Sequence, residues 1–250
     1  MEYLALVLWC FLVALGGGLV GLVLGNLRLP MVLLLATSPA AAAGTNIAIS
    51  GVAAATAATT HIRAGRINWR LFGWMAPPSV VGALAGGYVS GALPGDVLLG
   101  VIAAVLLYSS FDLWRWKRPA PAADAPAEPR LDIRAAVLSG LVIGLLGGIV
   151  GLILGSLRMP ALLKFVGETP QRAIGTNLAV GVLVGVAGAL AHLPNAAPDL
   201  RLLLIGGAAS IPGALLGARL TGRLSEAQLI RAISCVLFVA GVGCAVQAVV

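Results

Sequence analysis

The chain has 250 residues, of which 60% are hydrophobic and only 10% charged, with a net charge of +7 and a mean hydropathy of +1.03. Soluble domains carry about 25% charged residues, so this composition excludes a water-soluble globular domain. The basic residues sit in short stretches between apolar segments, which excludes a nucleic-acid footprint, and no nucleic-acid partner is expected.

In chain order, the first apolar stretch spans roughly 3–24. Glu2 stands where a signal peptide has basic residues, and no A-x-A-like cleavage site follows, so the stretch reads as a retained helix. A short apolar piece, 30–37, lies between Pro30 and Pro39, and longer helices are expected at about 39–60, 71–93 and 97–114. Residues 115–134 are charged and rich in Pro and Ala, the composition of an exposed linker. Beyond it the pattern recurs at about 135–155, 160–167, 170–191, 202–220 and 226–248. The long stretches are sufficient to cross ~30 Å of hydrocarbon, whereas eight helical residues rise only about 12 Å. The pieces after Pro30 and Pro160 therefore read as half-helices, with Pro opening each helix.

The recurrence is a duplication. Residues 17–30, GGLVGLVLGNLRLP, match residues 147–160, GGIVGLILGSLRMP, at ten of fourteen positions. Gly44-Thr45-Asn46 matches Gly175-Thr176-Asn177, His61 meets His192, and the Gly82/Gly86 pair meets Gly213/Gly217. The expected organisation is repeat 1 over 1–114, a cytoplasmic linker over 115–134, and repeat 2 over 135–250. Each repeat has about four transmembrane helices plus a half-helix, in an all-α polytopic membrane protein.

Lys and Arg favour the cytoplasmic side of a membrane. If each half-helix completes a change of side, every repeat has five segments, the repeats are inverted, and the basic residues split fourteen inside to two outside, Arg158 and Arg201. If the half-helices merely dip and return, the split is nine to seven. The uneven split favours inverted repeats with both termini outside.

Inverted-repeat transporters bind substrate where discontinuous helices meet near the midplane. The matching elements here are Gly25–Pro30 and Gly155–Pro160, which contain Asn26, Arg28, Ser156 and Arg158. Each Arg sits just ahead of the expected helix start, where its planar fork and the positive helix end suit an oxyanion. The alternative is that Arg28 and Arg158 lie at the interfaces and snorkel to lipid phosphates. Thr45, Asn46, Thr176 and Asn177 follow closely as candidate substrate donors, with helix–helix hydrogen bonding as the other reading. His61 and His192, at equivalent helix ends, are candidates for proton coupling, against a satisfied helix-end role. The Gly82/Gly86 and Gly213/Gly217 pairs read as close-packing faces. Cys10, Cys235 and Cys244 read as small buried hydrophobes without metal-ligand spacing. Asp112 and Glu168 sit at segment ends, so no acidic relay is evident. No nucleophile–base pair, metal cluster or cofactor motif is present, so neither enzyme nor cofactor is expected.

A glycine-rich helix end, a proline-started short apolar helix and A-x-G-T plus a polar residue, all repeated across a linker, resemble the sulfite exporter TauE/SafE family. The matching stretches are Gly16–Leu35 with Ala43–Asn46, and Gly147–Phe165 with Ala173–Asn177. The resemblance implies a multi-pass permease of the bacterial inner membrane that moves sulfite, sulfonates or related organic anions. Asn26-Leu27-Arg28 and Ser156-Leu157-Arg158 depart from the longer glycine-rich run usual before the proline. The expected function is a secondary carrier of small anions that alternates access to one central site, with the lipid bilayer as its surroundings and a homodimer left open. An anion channel on the same scaffold and a membrane subunit that carries no substrate are the rival readings.

Overall fold

The computed structural model describes residues 2–88, 95–116, 131–150, 152–192 and 197–249. Every described element is helical: α1 (Glu2–Val20), α2 (Gly25–Leu33), α3 (Pro39–Arg63), α4 (Trp69–Tyr88), α5 (Gly95–Arg115), α6 (Ile133–Val150), α7 (Gly155–Pro160, widening into a π-helical turn over Ala161–Phe165), α8 (Pro170–His192), α9 (Leu200–Thr221) and α10 (Glu226–Val249). Among the described residues five helices are long and apolar enough to cross a membrane: Glu2–Val20, Ala41–Arg63, Pro170–Leu190, Leu200–Thr221 and Glu226–Val249. Most of the expected linker, and the side chain of His192, lie outside the described residues.

The helices are apolar on both faces. α1 buries Leu6, Cys10, Val13, Gly17 and Val20 at helical spacing, yet turns Leu4, Leu8 and Leu12 outward. A helix of this kind stays in place where lipid covers its outer side. With hydrocarbon on that side, hydrophobicity no longer drives helix to helix, and close backbone packing must hold the bundle together. Gly82 and Gly86 on α4 meet α6, and Gly213 and Gly217 on α9 meet α1. A Cβ at Gly86 would stand 2.1 Å from the Leu145 carbonyl oxygen, and one at Gly217 would stand 2.1 Å from that of Leu15. Both pairs are packing faces.

The rising contacts, Gly213 with Phe11 and Gly217 with Leu15 and Leu19, show that α1 and α9 run parallel. Gly82 with Leu141 and Gly86 with Leu145 and Ile149 show the same for α4 and α6. α5 and α10 run antiparallel, with Ser110 donating to the Ser234 carbonyl at 2.8 Å and Leu107 against Gly241. α3 crosses α8 and α9, while α8 crosses α3 and α4. Each of these pairings persists when every element is exchanged for its counterpart in the other half.

One end of the bundle gathers the basic segments. There Asp112 pairs with Lys164, the Asp132 N–H donates to the Val166 carbonyl at 3.3 Å, Asn68 donates to the Glu168 carboxylate, and Arg66 donates to the Ala218 carbonyl at 3.3 Å. At the other end the Asp199 N–H donates to Thr45 Oγ1 at 2.8 Å, and the Arg201 guanidinium lies 4.6 Å over the Tyr3 ring. Between these ends the chain changes direction at every element, α2 and α7 included.

The helix breaks fall earlier than the prolines suggest. α1 stops at Val20, Gly21 turns with φ of 71°, and α2 opens at Gly25, not at Pro30; likewise α7 opens at Gly155, not at Pro160. Both prolines therefore lie inside their short helices, and each Arg lies within the helix instead of ahead of it. Pro30 has no N–H to offer the Asn26 carbonyl four residues back. Gln247 Nε2 on α10 donates to that carbonyl instead, at 2.9 Å.

The packing makes a clear contrast between glycines. Gly217→Val is expected to destabilise the protein by about 3 kcal/mol or more through overpacking. Gly207→Ala, where an added Cβ meets nothing within 4 Å, is expected to change stability by less than about 0.5 kcal/mol. Thermal unfolding in detergent checks both.

Candidate functional site

Both helix breaks are repaired by an asparagine from the long helix that follows. Asn46 Nδ2 on α3 donates to the Gly25 carbonyl at 3.0 Å. Asn177 Nδ2 on α8 donates to the Gly155 carbonyl at 2.9 Å and to the Gly21 carbonyl, in the opposite repeat, at 2.7 Å. Gly155 also lies against the Val23 backbone N–H, so the unwound segment of repeat 1 meets the start of α7 at the centre of the molecule.

The oxygen of each carboxamide faces the arginine of its own repeat. Arg28 is 2% exposed and Arg158 0%, so both are enclosed by protein, and the reading of interfacial side chains snorkelling to lipid is set aside. Arg28 Nε donates to Asn46 Oδ1 at 3.0 Å, and its Nη2 donates to the Asn46 carbonyl at 3.1 Å and to Ser50 Oγ. Arg158 Nη1 donates to Asn177 Oδ1 at 3.3 Å, while its Nε and Nη2 have no partner among the described residues. Burying a charge is costly unless it is paired and fully hydrogen-bonded, so the two arginines differ in how far that cost is offset.

The expected sides of these arginines are exchanged. Arg28, counted with the cytoplasmic loops from sequence, bonds to Asn46 beside the Thr45–Asp199 contact, away from the basic end. Arg158, counted outside, bonds to Asn177 next to Thr176, whose Oγ1 accepts from the Asn68 N–H at 3.0 Å at the basic end. The reversal follows from the helix starts: each short helix begins inside the protein, and its Arg travels with it towards the far side.

Thr45 and Thr176 do not join the arginines. Their hydroxyls accept from the Asp199 and Asn68 N–H groups, at the starts of α9 and α4. Asp199 and Asn68 in turn cap those helices through the Leu202 and Leu71 N–H groups, each at 3.1 Å. Asn26 donates to the Ala240 carbonyl at 3.2 Å and to Cys244 Sγ at 3.3 Å, which ties α2 to α10. Ser156 is buried at the matching position of α7.

His61 is fully buried near the end of α3, beside the Gly18 backbone, and neither ring nitrogen makes a hydrogen bond of acceptable geometry. Cys10 and Cys244 are buried, but Cys235 is exposed on α10, which corrects the expectation for that residue. Among the described residues no group of three or more His, Cys, Asp or Glu is placed to hold a metal.

A cavity of about 20 Å³ lies beside Arg28 and Ser50, with Val23 and Leu178 in its wall. Its counterpart, of about 10 Å³, lies against Ile47, Gly147, Ile153 and Val184. Each has room for about one water, so the breaks are closed around their arginines in this state. Ser50 and Gln247 were not singled out from the sequence. Ser50 follows Asn46 by four residues, the spacing of one helix face, and Gln247 is an isolated amide in an apolar helix.

Asn46→Leu and Asn177→Leu are each expected to destabilise the protein by about 3 kcal/mol or more, since a buried charge and buried carbonyls lose their partners together. Thr59→Val, on an exposed part of α3, is expected to cost less than about 0.5 kcal/mol. Thermal unfolding compares the three.

A family model described as sulfite exporter TauE/SafE matches residues 6–244. A probable membrane transporter protein of Bacillus subtilis (strain 168), YjnA, is 25% identical over 243 residues, covering 90% of this chain and 92% of that protein. No solved structure matches. With helices that suit a bilayer, two repaired helix breaks at its centre and a family match over nearly its whole length, the chain belongs to the sulfite exporter TauE/SafE family of membrane transporters.

Proposed function

We propose that the protein is a secondary carrier of small oxyanions, sulfite or an organosulfonate, in the bacterial inner membrane, and that the two helix breaks form its substrate path. The observation that carries the reading is the pair of fully enclosed guanidinium groups, Arg28 and Arg158, at the only kind of place where irregular backbone is tolerated at membrane depth. A guanidinium offers a planar fork of donors that matches the oxygens of sulfite or a sulfonate. Asn46 and Asn177 orient these forks, while Asn26, Thr45 and Thr176 hold the surrounding helices in place, and Ser156 lies buried two residues before Arg158.

The reading includes two repeats of inverted topology, 1–114 and 135–250, joined by a cytoplasmic linker. Five segments of alternating direction per repeat, the gathering of the basic segments at one end, and pairings unchanged by exchange of the halves support it. The basic end then faces the cytoplasm, and both termini lie on the other side. Alternating access would follow from each repeat taking the other's conformation in turn, with the short helices and unwound segments opening first to one side and then the other.

In proteoliposomes, sulfite uptake is expected to saturate and to show counterflow with unlabelled sulfite trapped inside. Non-saturating flux without counterflow would favour a channel instead, and no flux of sulfite, small sulfonates or carboxylates through folded protein would remove the carrier reading. For topology, single cysteines at positions 201 and 223 in a cysteine-free background are expected to react with an impermeant thiol reagent from opposite sides of the membrane. Labelling of both from one side would contradict the inversion.

A further inference from the structure

The two repeats place the same arginine against the same asparagine but do not finish the job alike. In repeat 1, Ser50 stands one turn beyond Asn46 and takes a hydrogen bond from Arg28 Nη2, so all the described contacts of that guanidinium lie within its own repeat. At the offset that aligns Asn46 with Asn177, the counterpart of Ser50 is Gly181. It carries no hydroxyl, and Nε and Nη2 of Arg158 are left without partners among the described residues. No ion pair compensates Arg158 among the described residues.

We infer that the two arginines have different roles: Arg158 takes the oxyanion directly through Nε and Nη2, Arg28 is a positioning residue locked by Asn46 and Ser50, and Gly181 leaves Arg158 open for its ligand. The inference rests on the anion-carrier reading above and assigns the binding step to one of the two breaks. Nε and one Nη nitrogen form an edge of the guanidinium fork, the geometry that binds two oxygens of one anion side by side. Asn177 holds the remaining nitrogen, so the fork is oriented before the anion arrives. Arg158 also lies towards the basic end, whose Arg63, Arg66, Arg70 and Arg172 raise the local concentration of anions at the entrance. In the closed state the side chains of Val23 and Ile153 stand against Gly181, at 3.2 and 3.9 Å from an added Cβ. Movement of the unwound segment that contains Val23 would therefore open the site.

The test restores the repeat-1 serine. Gly181→Ser puts a hydroxyl where Ser50 stands in the other half and is expected to occupy Arg158 Nη2, and Gly181→Ala adds the same Cβ without the hydroxyl. Sulfite is the probe, read by the KM of uptake into proteoliposomes and by the rise in unfolding temperature of the full-length purified protein. The serine variant is expected to bind sulfite at least about tenfold more weakly, the worth of one charge-assisted hydrogen bond, with its unliganded stability kept or raised. The alanine variant serves as the packing control and is expected to bind sulfite distinctly more tightly than the serine variant, since it leaves both nitrogens open and whatever it loses measures the added Cβ against Val23. Arg158→Lys, which keeps the charge but loses the fork, is expected to abolish the sulfite-dependent rise in unfolding temperature. Wild-type transport with a serine variant of unchanged affinity would overturn this inference and leave the carrier reading standing. Equal weakening by alanine and serine would also overturn it, since packing and not the hydroxyl would then be responsible. No binding or uptake of any probe by folded wild-type protein would overturn both.

Discussion

A helix that stops and restarts inside a bilayer leaves main-chain carbonyls with neither a helical partner nor water, and each such group costs several kcal/mol. Two asparagines meet this demand. Asn46 donates to Gly25, and Asn177 donates to both Gly155 and Gly21, so the second of them joins the break of its own repeat to that of the other. Everything particular to the centre of the molecule depends on these carboxamides. With the nitrogen committed to backbone, the oxygen is left to accept, and in each repeat it accepts from an arginine. A charge that would otherwise be prohibitive at this depth is thus held in one orientation by the group that makes the break possible.

The rest of the fold supplies rigidity around that centre. α1 with α9 and α4 with α6 pack backbone to backbone through glycines, so that each repeat's first helix is fixed against the other repeat and not its own. The short helices are held more lightly, by side-chain bonds such as Asn26 to α10 and Gln247 to the Asn26 carbonyl. A frame of tight helix pairs around short elements tied by a few polar bonds is what a carrier requires, since the frame can persist while the short elements shift. The small cavity beside Arg28 and its smaller counterpart mark the seams along which such movement would open space.

The duplication, the glycine packing faces and the short helices were legible in the residue pattern, because each depends on spacing along one chain segment, whereas the pairing of each Arg with the Asn of the following helix came only with the structure. The helix starts were not. Proline is equally at home in a first turn or within a helix whose freed carbonyl finds another donor, and the donor for Asn26 is Gln247, distant in sequence. Thr45 and Asn46 were grouped as neighbours, yet adjacent residues on a helix point about 100° apart, and Thr45 faces α9 while Asn46 faces the break. Cys235 and Cys244 lie in one apolar helix without a polar stripe to tell inside from outside, and only packing separates the exposed one from the buried one. The difference between Ser50 and Gly181 was present in the aligned repeats, but its meaning depends on where the guanidinium points.

The most direct measurement is a structure of the full-length protein in lipid nanodiscs with sulfite bound. Density for a three-oxygen anion against Nε and Nη2 of Arg158, with Arg28 still bonded to Asn46 and Ser50 and with Asn177 still spanning Gly21 and Gly155, is the expected result. An anion bound away from both helix breaks, with Arg158 enclosed and unchanged, would contradict the assignment of the breaks as the substrate path.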